Sequence, residues 1–351
     1  MKKLTLLFVA LVAASATYAK EVMPVVEPME MAPKLKVESM GTFINYYDLN
    51  ADISTNQRFN IDKDLKRIEY GITTNLSYGD DWTFDILASE NYLKGLGGLV
   101  DYIKGFTSGL NNDFSSYSSK LIVGAWRHYD NFAIGAEWAH GNNLGDFELL
   151  SSAIGDAWKQ DILSLRGKYS YPLMDGHLLG WADLKYGMVN DTVMNLFVPI
   201  PSEVSNSYKY YEIEGMPLAY KYGPITIGYY MKHREFDNFL DAKMTEQQLK
   251  LCADIYSNER LSIYGEYTFG LRMKADIDVI DTYLDGKVLD AGDRQKFAIG
   301  AKYAINESLM LNGDISYQEL EYETDGPLAQ AQNVDNKFKE TKLCVGLTYM
   351  F

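Results

Sequence analysis

The sequence predicts an all-β fold: a transmembrane antiparallel up-and-down β-barrel of about 14 strands, with short turns at one end and long loops at the other. Three observations carry the prediction. Side-chain character alternates with period two from Val37 to Phe351, short turns and long polar connections follow one another in strict alternation, and aromatic residues gather beside the short turns. Period two places successive side chains on opposite faces of a strand, so each strand presents one face to each of two environments.

The N-terminus sets the compartment. Lys2 and Lys3 precede an uncharged apolar stretch, 4–16, and Thr17-Tyr18-Ala19 offers a small residue before a cut. This is the pattern of a cleaved signal peptide over 1–19, since its core is shorter than the roughly 20 residues a spanning helix needs. Residues 20–36 contain Pro24, Pro28 and Pro33 and read as an extended periplasmic linker, because proline blocks helix and removes backbone donors. The barrel occupies 37–351.

In order, the expected strands are Val37–Asp48, Lys66–Tyr78, Trp82–Glu90, Ser118–Asp130, Asn131–Gly141, Asp161–Tyr171, His177–Asn190, Tyr208–Tyr222, Pro224–Phe236, Gln247–Ser257, Arg260–Arg272, Gln295–Ile305, Ser308–Leu320 and Phe338–Phe351. Each meets or approaches the roughly 9–11 residues that cross a bilayer at a tilt. Tight turns fall at Gly79-Asp80-Asp81, Asp130-Asn131, Pro172–Gly176, Gly223-Pro224, Asn258-Glu259 and Asn306-Glu307. Long polar connections fall at Leu49–Leu65, Asn91–Tyr117, Asn142–Gln160, Asp191–Ser207, Asp237–Glu246, Met273–Arg294 and Glu321–Lys337. A soluble sandwich has no reason to keep that alternation; a membrane barrel does.

The faces agree. Ile225, Ile227, Tyr229 and Met231 oppose Thr226, Gly228, Tyr230, Lys232 and Arg234, and Leu249, Leu251, Ala253 and Ile255 oppose Gln248, Lys250, Cys252 and Asp254. Tyr78, Trp82, Phe132, Tyr171, Tyr222, Tyr303, Tyr349 and Phe351 lie beside the short turns, as an interfacial girdle requires. Pro217 inside a strand marks a bulge.

The last stretch, Lys339–Phe351, puts Leu343, Val345, Leu347, Tyr349 and Phe351 on one face and stops on the phenylalanine. It resembles the C-terminal signal strand of Gram-negative outer-membrane β-barrels, in which Leu347, Tyr349 and Phe351 would be read by the barrel assembly machinery. With the signal peptide and the strand rhythm, nearly the whole chain is similar to porins. The resemblance implies a cell-outer-membrane location among lipid and lipopolysaccharide. It also implies passive diffusion of small hydrophilic solutes and ions; the strand count departs from that of the larger trimeric general porins, which favours a monomer over a trimer. Alternatives stay open: an adhesin or structural barrel acting through its extracellular loops, and, further off, an outer-membrane protease or lipase.

If the apolar faces meet lipid, the opposite faces line the lumen. They carry Arg67, Arg166, Lys168, Lys185, Lys232, Arg234, Lys250, Arg272, Lys302 and Lys342, with Glu69, Asp85, Glu137, Asp183, Glu212, Glu214, Asp254, Glu266, Asp314 and Glu340. So many charges require water or dense mutual pairing, and the strand number favours a water-filled lumen over a plug of salt bridges. The Asn91–Tyr117 connection spaces Leu93, Leu96, Val100, Ile103 and Phe106 as on one helix face. It either folds into the pore as a constriction loop or packs over the outer rim or on the membrane surface.

The formal charge of −15 argues against nucleic acid as partner. Its excess sits in expected loops, as at Asp276, Asp278, Asp281, Asp285, Asp290 and Asp293, or Glu319, Glu321, Glu323 and Asp325. An acidic mouth would favour cations. No metal-ligand spacing and no cofactor motif appears. Cys252 and Cys344, four strands apart, are expected as free thiols. His140 and His233 lie near the outer edge without a nucleophile motif, so no catalytic residue is assigned and no enzyme is expected.

Overall fold

The computed structural model describes residues 34–55, 60–94, 115–141, 158–191, 206–237, 242–276, 289–323 and 334–351. They form strands β1 (Leu35–Thr55), β2 (Asn60–Tyr78), β3 (Trp82–Lys94), β4 (Ser115–His128), β5 (Phe132–Gly141), β6 (Trp158–Leu173) and β7 (Gly176–Asp191). There follow β8 (Asn206–Tyr222), β9 (Ile225–Asp237), β10 (Ala242–Ser257), β11 (Leu261–Asp276), β12 (Leu289–Ala304), β13 (Leu309–Glu323) and β14 (Val334–Met350). Each pairs antiparallel with its sequence neighbour, and β1 pairs with β14 to close the barrel. At the seam Thr42 stands opposite Leu347 and Ile44 opposite Val345. Beyond β14, the Phe351 amide donates to the Glu38 carbonyl at 3.2 Å. Closure leaves no unpaired edge.

Local chemistry explains the tight turns. Gly79 (φ 61°) and Gly223 (φ 55°) take the left-handed conformation that glycine adopts without a steric cost. At the β10–β11 turn the Asn258 side chain accepts hydrogen bonds from the Arg260 and Leu261 amides at 2.9 and 2.7 Å. Asn306 does the same for the Ser308 amide. The β6–β7 turn puts Met174, not a glycine, at φ 52°.

Strand number and order match the sequence expectation, but the strands run further toward the loop end. β1 continues to Thr55 and β2 begins at Asn60, so most of the expected Leu49–Leu65 loop is ladder. Leu93 is a correction: it lies in β3 opposite Arg67 and Ser116, not on a helix. Leu96, Val100, Ile103 and Phe106 lie outside the described residues, as do the expected signal peptide and the expected linker up to residue 33. Asp276, Asp290, Asp293, Glu319, Glu321 and Glu323 also belong to strands rather than loops. The reason is that an antiparallel ladder satisfies backbone groups beyond the bilayer as well as within it. Strand length is therefore not limited by membrane thickness.

The expected irregularity at Pro217 is present. The β8–β9 register shifts between Gly215 and Leu218, and the β7–β8 register between Leu179 and Trp181. The Tyr169 hydroxyl donates to the Pro217 carbonyl at 2.7 Å, and its ring covers Gly180 on the neighbouring strand.

The exterior is apolar. Ile44 (58 %) and Leu163 (61 %) typify a band that includes Ile134, Leu165, Ile213, Ile227, Ile255, Phe297, Ile299, Ile315 and Val345, all exposed. A continuous band of this kind has no place in water and belongs against lipid. At the turn end it is edged by Tyr78, Trp82, Phe132, Tyr171, Tyr222, Tyr303, Tyr349 and Phe351, again exposed. Toward the loop end a second set, Tyr70, Trp138, Tyr186, Tyr211 and Tyr317, edges it. The sequence reading did not include this upper girdle. The fold is that of an outer-membrane-type β-barrel.

Candidate channel interior

Alternation decides what faces inward, and glycines decide how it lies. On the inner wall Phe43 of β1 rests over Gly71 of β2, Trp126 of β4 over Gly135 of β5, and Ile162 of β6 over Gly187 of β7. Met216 of β8 rests over Gly228 of β9, and Tyr264 of β11 over Gly300 of β12. A Cβ on Gly71 would fall 2.7 Å from the Phe43 ring, and one on Gly300 would fall 2.3 Å from the Tyr264 ring. Each of these bulky side chains leans toward the next strand and lies along the wall. Thr73 against Gly41 leans the other way. Side chains seated in this manner occupy wall, not lumen.

The inward charges form clusters that also run along the wall. Glu69 of β2 accepts from Asn45 (3.0 Å) and Tyr47 (3.2 Å) of β1 and from Ser89 of β3 (2.9 Å), and pairs with Lys120 of β4 (3.2 Å). Arg166 of β6 bridges Glu137 of β5 (2.6 Å) and Asp183 of β7 (3.3 Å), with its guanidinium 4.8 Å from the Trp126 ring centre. Arg294 of β12 binds Glu246 of β10 and donates to Gln318 of β13 at 2.8 Å; Gln318 in turn donates to Glu340 of β14 at 2.9 Å. Lys296 of β12 meets Glu266 of β11 at 3.3 Å. Each of these pairs links strands one or two apart.

The densest cluster is on β7–β9. Lys185 donates to Glu212 (2.6 Å) and Glu214 (2.7 Å). Arg234 reaches Glu212 through two nitrogens at 2.7 and 2.6 Å, and Tyr210 donates to the same carboxylate. Lys232 stands 3.6 and 3.7 Å from the two glutamates, and Tyr230 donates to Glu214 at 2.8 Å. Arg234, Glu212 and Lys232 are only 1, 2 and 3 % exposed. Groups so deeply withdrawn from water are tolerated only where each meets opposite charge and hydrogen-bond donors or acceptors.

Toward the turn end the wall opens. A cavity of about 330 Å³ is lined by Lys221, Thr226, Cys252, Asp254, Ser262, Tyr264, Glu266 and Lys302, with Pro224, Ala253 and Gly265. Its one close ion pair besides that of Glu266 is Lys221–Asp254 at 3.2 Å, and both partners are roughly half exposed. Cys252 and Cys344 are free thiols.

Of the residues selected from sequence, Arg67, Glu69, Asp85, Glu137, Arg166, Lys168, Asp183, Lys185, Glu212, Glu214, Lys232, Arg234, Lys250, Asp254, Glu266, Lys302, Asp314, Glu340 and Lys342 fall on the inward rows of their strands. Arg272 is exposed at the far end of β11, beyond a register shift at Gln247/Gln248. Lys120, Lys221, Glu246, Arg294, Lys296 and Gln318 also face inward but are not among the residues selected from sequence. The signal was present: Glu246 continues Lys250 and Gln248 in steps of two, and Arg294 continues Ala298 and Lys296. For Glu246 and Arg294 the expected strands end too early, whereas Lys120, Lys221, Lys296 and Gln318 lie within the expected strands.

The histidines are not gathered. His140 and Asp161 form an exposed pair at 2.7 Å, with the imidazole stacked 5.8 Å from Trp138 on the outer surface. His233 contacts Thr245 (2.8 Å) and Glu235 (3.1 Å). His128 meets Thr83 at 2.8 Å near the turn end.

No protein-family model matches the chain, and no curated protein does. Three solved structures share a similar architecture. The toluene transporter TodX of Pseudomonas putida is 11 % identical, with a TM-score of 0.43 and 90 % of each chain covered. A FadL homologue of Pseudomonas aeruginosa is 8 % identical, with a TM-score of 0.44 and 90 % of each chain covered. OmpT of Vibrio cholerae, an outer-membrane protein, is 12 % identical, with a TM-score of 0.36, covering 94 % of this chain and all of that one. At these values the likeness assigns no function; what identifies the molecule is its own geometry, a closed barrel with a lipid-facing exterior and a charged inner wall.

Proposed function

We propose that the chain is a passive channel of the outer membrane, through which small hydrophilic solutes and ions diffuse. One observation carries the reading: the inner wall is charged throughout, yet its ion pairs run along the wall between strands one or two apart, and its bulky side chains lie in glycine seats. A polar wall with its charges held flat supports a wet lumen, since water solvates what the pairs leave unsatisfied. The buried β7–β9 cluster stiffens one side of that wall. Transport needs no covalent step and no cofactor, and the wall residues act by position and charge.

Lipid and lipopolysaccharide surround the barrel in this reading, and a single chain suffices for the pore. Leu347 and Tyr349 on the outer face of β14, with Phe351 just beyond it, serve assembly: deleting Phe351 lowers the yield of inserted barrel far more than the conductance of any barrel that forms. The test of function is reconstitution of the folded protein in a planar lipid bilayer. Stepwise conductance is expected. Inserted, heat-modifiable barrel that shows none would remove the channel reading and leave a barrel that works through its loops.

A further inference from the structure

We infer that the lumen prefers anions, and that four lysines of the inner wall, Lys168, Lys250, Lys302 and Lys342, set that preference; the inference rests on the channel reading above. The argument begins with the pairs. A carboxylate and an ammonium about 3 Å apart act on a passing ion as a dipole, whose field fades faster with distance than that of a single charge. Pairs such as Lys185–Glu212 and Lys296–Glu266 therefore contribute little at the pore axis. Selectivity falls to inward charges without an opposite partner.

Among the described residues, those four lysines have no carboxylate within ion-pair distance. Three are parked on aromatic faces instead: Lys168 lies 4.6 Å from the Trp126 ring centre, Lys250 lies 4.0 Å from that of Tyr230, and Lys342 lies 5.5 Å from that of Tyr47. A ring face stabilises an ammonium without cancelling its charge. Lys302 lines the open cavity. On the acidic side, among the described residues, only Asp85, beside Gly124, and Asp314, opposite Cys344 in the β13–β14 register, are inward carboxylates in the same position. The four lysines come from β6, β10, β12 and β14, spread around much of the wall, and cationic linings of this kind favour anions. The sign is opposite to the net charge of the chain, −15.

The test is the reversal potential of the full-length, refolded protein in a planar bilayer under a KCl gradient. Wild type is expected to reverse on the chloride side. K168Q/K250Q/K302Q/K342Q is expected to lose the preference, and D85N/D314N to strengthen it. Glutamine keeps most of each stem, and folding is checked by heat-modifiable migration. If the quadruple variant does not fold, K302Q alone, at an exposed position, shifts the potential part of the way in the same direction. A cation preference in wild type, or an unmoved potential in the folded lysine variants, overturns the inference while leaving the channel intact. Absence of conductance in wild type overturns the channel reading itself.

Discussion

Two regions of the inner wall use the same residue types to opposite effect. On β7–β9, Lys185, Lys232 and Arg234 surround Glu212 and Glu214, and the centre is closed to solvent. At the turn end, Lys221 and Asp254 face each other at 3.2 Å across an open cavity. The lesson is that burial, not the presence of a salt bridge, sets its weight. Removing one partner of a buried pair strands a charge in a poor solvent and costs about 3–5 kcal/mol. An exposed pair is worth roughly 0–1 kcal/mol, because water replaces either partner.

The comparison breaks most sharply at Glu212. Glu212→Gln leaves Arg234 and Lys185 without their central carboxylate and is expected to destabilise the folded barrel by about 3–5 kcal/mol. Urea unfolding in lipid vesicles measures it; a loss comparable to that of an exposed pair would show that water already reaches the cluster. Next in size is Gly300→Val. It drives Tyr264 off its seat, costs roughly 1–3 kcal/mol by overpacking, and moves the ring toward the cavity. Single-channel conductance should fall, and an unchanged value would mean that the seat does not keep the lumen clear.

A smaller effect tests access to the cavity. Cys252 lines it, whereas Cys344, opposite Asp314 in the β13–β14 register, does not. A water-soluble charged thiol reagent added to the reconstituted Cys344→Ala variant should reduce conductance through Cys252; the Cys252→Ala variant should respond more slowly. Equal rates would erase the distinction between the two sites. The smallest effect belongs to Lys221→Ala, which should alter stability by less than about 1 kcal/mol. A large loss there would place that pair with the buried cluster.

What the sequence alone determined follows from covalent geometry. Side chains alternate across a strand whatever the strand touches, so the inward placement of Lys232, Arg234, Lys250 and Glu266 was legible from steps of two. The same rule, with turn residues such as Gly79, Gly223 and Asn258, specified the strand number and the up-and-down order. The turn-end girdle was legible because its aromatics sit beside those turns.

The tertiary structure alone decided what meets what. Arg294 joins Glu246 across an intervening strand, and Lys120 reaches Glu69 over β3. Such contacts depend on register between strands and on barrel closure, which no local pattern encodes. Strand ends were also decided there, because the ladder extends as far as backbone partners are available, and this hid Glu246 and Arg294 from the sequence reading. So was burial: Glu212 and Asp254 look alike as inward carboxylates in sequence, and only their surroundings make one a buried hub and the other half of an exposed pair.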